Sequence, residues 1–278
     1  MTALAVVGAA CGSDDSAYVA RGGDLGHIHD LALAEDGALL VAAHTGLYRI
    51  DGLDRAVLVG AEQHDLMAMT TEADGSLLAG GHPDLRYDEY SVPDRPRFLG
   101  LARSDDEGKS WEVLDLLGDA DFHALVPAGD GLYAAETSGQ IWYRDSENIW
   151  TRLGEVEARD LAIDPEDPSR QLAPAYDAVL WASADGANTW TVVEGAPALI
   201  EVEWIEADRI LGVDEAGTVF EADDLDGPWT ELVVGPEGAE TFWVDEQGRW
   251  WLTVHGGGVT RSDDGGQTWV DVYVPPPR

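Results

Sequence analysis

Five tryptophans, Trp111, Trp150, Trp190, Trp229 and Trp269, stand 39, 40, 39 and 40 residues apart. A period of about 40 to 45 residues is the length of a propeller blade built from four short strands. Repeats that each bury a face against the next leave no room for a linker. The 278-residue chain is therefore expected to be all-β, a single six-bladed β-propeller of four-stranded blades, with seven blades as the alternative. Residues 22–278 are assigned to the propeller and 1–21 to an N-terminal segment.

Around three of the tryptophans the local text is nearly the same. Ser104 to Trp111, Ser183 to Trp190 and Ser262 to Trp269 share Ser, then Asp two residues later, then Ser/Thr-Trp. Worn copies at Tyr143 to Trp150 and Ala222 to Trp229 keep Asp145 and Asp224 five residues before the Trp. Such text suits a tight turn: Ser and Asp bond nearby backbone N–H groups, Gly accepts positive φ and Trp fills the gap between sheets. It resembles the Asp-box (BNR) repeat of sialidase-like and sortilin-like propellers. That resemblance implies a box in the hairpin between a blade's third and fourth strands, away from the ligand face. It implies a fold and leaves the function open.

Turn signals divide the chain into six units beginning near His27, His64, His123, Arg159, Glu201 and Thr241. Dipeptides such as Asp36-Gly37, Asp74-Gly75 and Asp130-Gly131 between apolar runs mark the first hairpins. Second strands follow at Leu39 to Ala43, Leu77 to Gly80, Leu132 to Ala135, Ile210 to Val213 and Trp250 to Val254. The second unit carries about 17 extra residues around Arg86 to Arg97, a length typical of a functional loop. Tyr18 to Ala20 are a candidate outer strand for the last blade.

Formal charge is -38, from 54 acidic and 16 basic residues, and Lys109 is the sole lysine. Such a surface repels phosphate backbones and anionic lipid, which excludes nucleic acid as a partner. A solvated acidic coat of the salt-adapted kind accounts for it, since dense carboxylates are screened by salt. Cys11, the one cysteine, rules out an internal disulfide. It closes the apolar run from Leu4 and precedes Gly12-Ser13-Asp14-Asp15, which resembles the end of a lipoprotein signal peptide lacking its basic region. The expectation is an extracytoplasmic, monomeric protein whose only tie to the membrane is a lipid on Cys11. The alternative is a plain apolar tail.

Propeller connections alternate between faces, which puts all seven histidines opposite the boxes. His27, His29, His64 and His123 open innermost strands, while His44, His82 and His255 fall in second-to-third turns. Acidic residues Asp30, Asp65, Asp121, Asp160, Glu201 and Glu240 recur at the start of the innermost strands. This is a channel mouth that should attract cations. His27 and His29, two apart on a strand, point to one side. With His44, His64, His82 or His123 and a carboxylate they suit zinc, copper, iron or nickel rather than calcium. The expected ligand-binding set is His27, His29, His44, His64, Asp65, His82, Asp84, Arg86, Asp121 and His123. His27, His29, His64 and His123 are the metal candidates, for zinc or copper. The same residues serve the alternative of single histidines each bonding a loop carbonyl.

Gly26-His27-Ile28-His29, His82-Pro83-Asp84-Leu85-Arg86 and Asp121-Phe122-His123 together resemble secreted bacterial propellers described as glycosyl-hydrolase-like or sialidase-like. That resemblance implies a glycan ligand and glycoside hydrolysis, with Asp84, Glu136 and Arg86 as catalytic candidates. A sialidase would use an arginine triad and a Tyr nucleophile. Arg86, Arg95, Arg97 and Arg159, with Tyr87, Tyr90 and Tyr176, are the residues on offer, and the sialidase Arg-Ile-Pro segment is missing. Met67 and Met69 beside His64 suit core filling, as Trp204, Trp243, Trp250 and Trp251 suit packing between blades. Three functions stay open: a small-molecule or metal binder, a glycosidase, and a protein-interaction scaffold.

Overall fold

The computed structural model describes residues 25–276. Cys11, residues 1–21 and the candidate strand Tyr18 to Ala20 lie outside them. The described residues form six four-stranded antiparallel sheets, each in simple meander order. The innermost strands of blades one to six are Ile28–Leu33, Asp65–Thr71, Phe122–Ala128, Ala162–Ile163, Leu199–Glu206 and Ala239–Val244. Each packs against the next around the ring, and Ile28–Leu33 meets Ala239–Val244 to close it. The fold is the six-bladed propeller that the tryptophan period predicts. Among the described residues no helix is long and apolar enough to cross a membrane.

Every hydrophobic core lies between two blades. Leu31, Val41 and Tyr48 of blade one pack with Trp251 and Val259 of blade six. Trp111 of blade two is buried with Leu40 and Leu47 of blade one. Trp190 and Trp269 fill the corresponding gaps toward blades three and five. A blade therefore has no core of its own, which is why the repeat had to close on itself.

The three full copies of the Ser-Asp-Trp text build one turn three times over. In blade two the Ser104 hydroxyl accepts the N–H of Gly108 at 2.8 Å, and Asp106 accepts the Ser110 N–H at 2.9 Å. Ser183 and Asp185 repeat this in blade four, as do Ser262 and Asp264 in blade six. All three turns join third to fourth strands, for example Leu101–Ser104 to Glu112–Asp115. The long segment between Leu77–His82 and Leu101–Ser104, with a short 3-10 turn at Asp88–Tyr90, leaves from the opposite face.

Bulges at the channel mouth break the alternation of the innermost strands. Ile28 pairs with Ala43 but Asp30 with Ala42, so His29 has no partner of its own. His123 and Glu240 occupy the same extra position in blades three and six. A bulge bends the strand and re-aims its side chain. His27 sits on the bend before the strand and His29 in the bulge, so strand alternation is not what turns the two rings to one side, although they do meet there.

Candidate functional site

Six of the seven histidines join one belt of imidazoles and carboxylates across blades six, one, two and three. The Nδ1 atoms of His27 and His29 are 3.2 Å apart, and Nε2 of His29 is 3.1 Å from Nδ1 of His44. Oδ1 of Asp65 lies 2.9 Å from His44 Nδ1 and 3.5 Å from His29 Nε2. Its other oxygen lies 3.4 Å from His82 Nδ1, and His82 Nε2 is 3.3 Å from Oδ1 of Asp121. His123 Nε2 approaches the same Asp121 oxygen at 3.4 Å, and the Tyr176 hydroxyl stands 3.4 Å from His123 Nδ1. At the other end Glu240 bonds His255 Nδ1 at 2.8 Å and faces His27 Nε2 at 3.9 Å.

The fold sets these meetings. Asp65 and His82 are cross-strand partners in blade two, so their side chains rise side by side from the sheet end. His44 sits in the turn between Leu39–Ala43 and Gly46–Ile50, which carries it toward the next blade's Asp65. Two groups offer one ligand atom per residue within 4.8 Å of one another: His27, His29 and His44, and His82, Asp121 and His123.

Their electrostatics differ. Burial pushes the imidazoles of His27 and His29 below the ordinary histidine value, which favours the neutral ring. His82 is pushed up to about 10 by hydrogen bonds to Asp121 and Asp65. Burial would raise Asp65 and Asp121, but the imidazoles around them outweigh it and hold both well below the usual carboxylate range.

His64, expected among the metal candidates, does not join either group. It is buried, and its Nδ1 accepts the backbone N–H of Asp84 at 2.9 Å while its ring stands edge-on to Tyr90. That bond occupies one lone pair and places the proton on the other nitrogen, so the ring has no pair left for a metal. Burial drops it to about 4. Asp84 and Arg86 tie down the long loop beside it: Arg86 grips Asp84 and the Ala61 carbonyl, and Asp84 also accepts the Gln63 N–H at 2.8 Å. Glu136 accepts the indole N–H of Trp142 at 3.0 Å and the Ser138 hydroxyl at 3.2 Å. The three catalytic candidates thus have their polar atoms engaged in holding loops.

The expected ring of carboxylates is only partly open. Below the belt the channel encloses about 510 Å³, with His29, Asp30, His123, Arg159, Asp160 and Glu203 in its wall. Asp30 accepts the Met69 N–H of the next blade, Asp160 that of Val202 and Glu203 that of Val244. These carboxylates stitch neighbouring blades together. Burial pushes Asp30 up to about 7 and raises Asp160, Glu201 and Glu203 as well. Glu240 and His255 complete the belt without having been in the expected ligand set. They sit at the blade-six positions that His29 and His44 occupy in blade one, so the repeat itself was the signal.

No protein-family model and no curated protein matches the chain. Solved structures share its fold. The WD40 propeller domain of Doa1 superposes with a TM-score of 0.63 at 12% identity, over 90% of this chain and 83% of that one. YCF48 bound to D1 peptide gives 0.53 at 16% identity, over 89% and 81%. The GH74 xyloglucanase from Xanthomonas campestris gives 0.55 at 19% identity, over 90% of this chain and 38% of the enzyme. At these identities the likeness is one of propeller fold.

Proposed function

We propose that this propeller binds a transition metal ion, zinc or copper, through His27, His29 and His44 at the mouth of its channel. The observation that carries the reading is the convergence of one nitrogen from each ring within 4.8 Å. Ligands about 2.0 to 2.1 Å from a common tetrahedral ion stand about 3.3 to 3.5 Å apart, so side-chain adjustments close the shell. Imidazole donors favour zinc, copper and nickel over calcium. The lowered proton affinity of His27 and His29 supports it, because the neutral ring is the ligand. Asp65 beside His29 and His44 supplies either a further ligand or the carboxylate that orients an imidazole. With the lipoprotein-like text at Cys11 and the Asp-box-like turns, we read the chain as an exported, lipid-anchored binding propeller.

Glycoside hydrolysis on the same face is the second reading. It rests on the likeness to a xyloglucanase fold and on the long blade-two loop. It is the weaker one, since Asp84 and Glu136 are committed to Arg86 and Trp142. The deciding experiment is zinc titration by calorimetry on protein made without a His tag. Wild type should bind, and His27→Ala with His29→Ala should lose at least tenfold in affinity with an unchanged circular dichroism spectrum. No heat with wild type, or equal binding by the double variant, would overturn the metal reading.

A further inference from the structure

Nε2 of His123 is buried and completes no hydrogen bond, although it lies 3.4 Å from Oδ1 of Asp121. Nε2 of His82 stands 3.3 Å from the same oxygen. From this convergence we infer a second, separate metal site, in which His82, Asp121 and His123 hold one divalent ion of the zinc type. It shares no ligand with the ion proposed on His27, His29 and His44 and does not rest on that reading.

Spacing is the first support. Two ligands of one tetrahedral ion stand about 3.3 to 3.5 Å apart, which is the separation that both rings have from the Asp121 oxygen. The three donors lie within 4.8 Å of one another. The far atom of each ligand also has a partner of its own. Nδ1 of His82 faces Oδ2 of Asp65 at 3.4 Å, Oδ2 of Asp121 accepts the Thr137 hydroxyl at 3.1 Å, and Nδ1 of His123 stands 3.4 Å from the Tyr176 hydroxyl. Outer partners of this kind fix the tautomer and the aim of a ligand. Asp65 is thus the group that orients His82 and not a ligand of this ion.

The two blades are shaped to meet here. Asp121 and His123 flank the fully buried Phe122, and a bulge re-aims His123. Gly80, two residues before His82, packs on Phe122: a Cβ there would stand 2.6 Å from Cβ of Phe122 and 3.0 Å from its carbonyl oxygen. A glycine therefore lets blade two come this close to the strand that carries His123. Two imidazoles and one carboxylate suit zinc, cobalt(II) or iron(II), with positions left for water, and lack the six to eight oxygens that calcium takes. Binding exchanges a proton: the ion takes the place of the one that His82 holds toward Asp121, while Nδ1–H stays on Asp65.

The test uses the full chain without a His tag, carrying His27→Ala, His29→Ala and His44→Ala so that the other three rings are gone. Cobalt(II) is the probe, read by metal content and by its visible absorption bands. The expected result is one cobalt ion per chain in this triple variant, with bands that vanish when His82→Ala and His123→Ala are added. Asp65→Ala in the same background should weaken binding about 10- to 100-fold. Circular dichroism verifies folding, and if the triple variant does not fold, His82→Ala with His123→Ala in the otherwise wild-type chain should remove one of two bound ions. No cobalt in the folded triple variant, or bands unchanged without His82 and His123, would overturn the second site. One ion in wild type that is lost in the triple variant would also overturn it and leave the first site standing. One ion in both would overturn the first site and support this one.

Discussion

Asp65 and His82 stand opposite one another on the first two strands of blade two, with Oδ2 of the acid 3.4 Å from Nδ1 of the ring. The same histidine reaches Asp121 of blade three with its other nitrogen. A single imidazole therefore joins two blades through two carboxylates, and its proton is held up to about 10.

Stability should form a dome in pH. His64 titrates near 4 in the fold against about 6.5 unfolded. Between those values the unfolded chain binds more protons, so stability falls as pH drops from 6.5 toward 4, by on the order of 3 kcal/mol from this residue. His27 and His29, also lowered, act in the same direction. His82 acts oppositely: its contribution is complete below about 6.5 and is lost as pH rises through about 10. Its loss is the smaller because the side chain is 39% exposed and screened. Urea unfolding across pH 4 to 10 checks both limbs. His64→Gln should flatten the acid limb and His82→Gln the alkaline one.

Removing a stitch between blades should cost more than the charge it removes. Asp30→Ala leaves the N–H groups of Leu31 and Met69 without acceptors, a penalty of about 1 to 3 kcal/mol each. Relief of the buried carboxylate offsets part of this at neutral pH, where Asp30 is held up to about 7. A net loss of stability in urea is expected, larger at pH 5 than at pH 8. A variant as stable as wild type at pH 5 would show that these bonds contribute nothing.

The periodic tryptophans should rank by burial. Trp111 is 8% exposed in the gap between blades one and two, so Trp111→Ala should cost about 3 to 5 kcal/mol. Trp190 is half-buried, and Trp190→Ala should cost less. Neither variant should alter metal affinity in the molecules that fold, since both side chains lie on the turns of the opposite face. Denaturant midpoints and zinc titrations together test this.

Salt should stabilise the protein. With 54 acidic against 16 basic residues, repulsion between surface carboxylates weakens as the screening length falls from about 10 Å at 0.1 M to about 3 Å at 1 M. The melting temperature should rise between low and molar sodium chloride. A flat curve would mean that local pairs such as Arg103 with Asp74 and Asp105 already compensate the coat.

Period and turn chemistry made the fold readable: Leu39–Ala43 and Trp250–Val254 begin and end where the alternation predicts. Blade four was harder, because Asp164 folds back on the N–H groups of Glu166 and Asp167 and leaves an innermost strand of only Ala162–Ile163. The shared face of the histidines was readable from strand order. Their partners were not, for two reasons. A bulge changes which way a side chain points without leaving a mark in hydrophobic alternation, as at His29 and His123. A backbone N–H can also capture a ring from inside a loop, as Asp84 does to His64. The burial of Asp30 and Asp160 depends likewise on backbone groups of the next blade, which no local pattern displays.

Anomalous diffraction at the zinc edge, on crystals grown with zinc and without a His tag, tests the metal site most directly. A peak about 2.0 to 2.1 Å from one ring nitrogen each of His27, His29 and His44 is the expected result, with His64 still bonded to the Asp84 backbone. No peak among those three rings in zinc-saturated crystals, with zinc bound only elsewhere on the acidic surface, would contradict it.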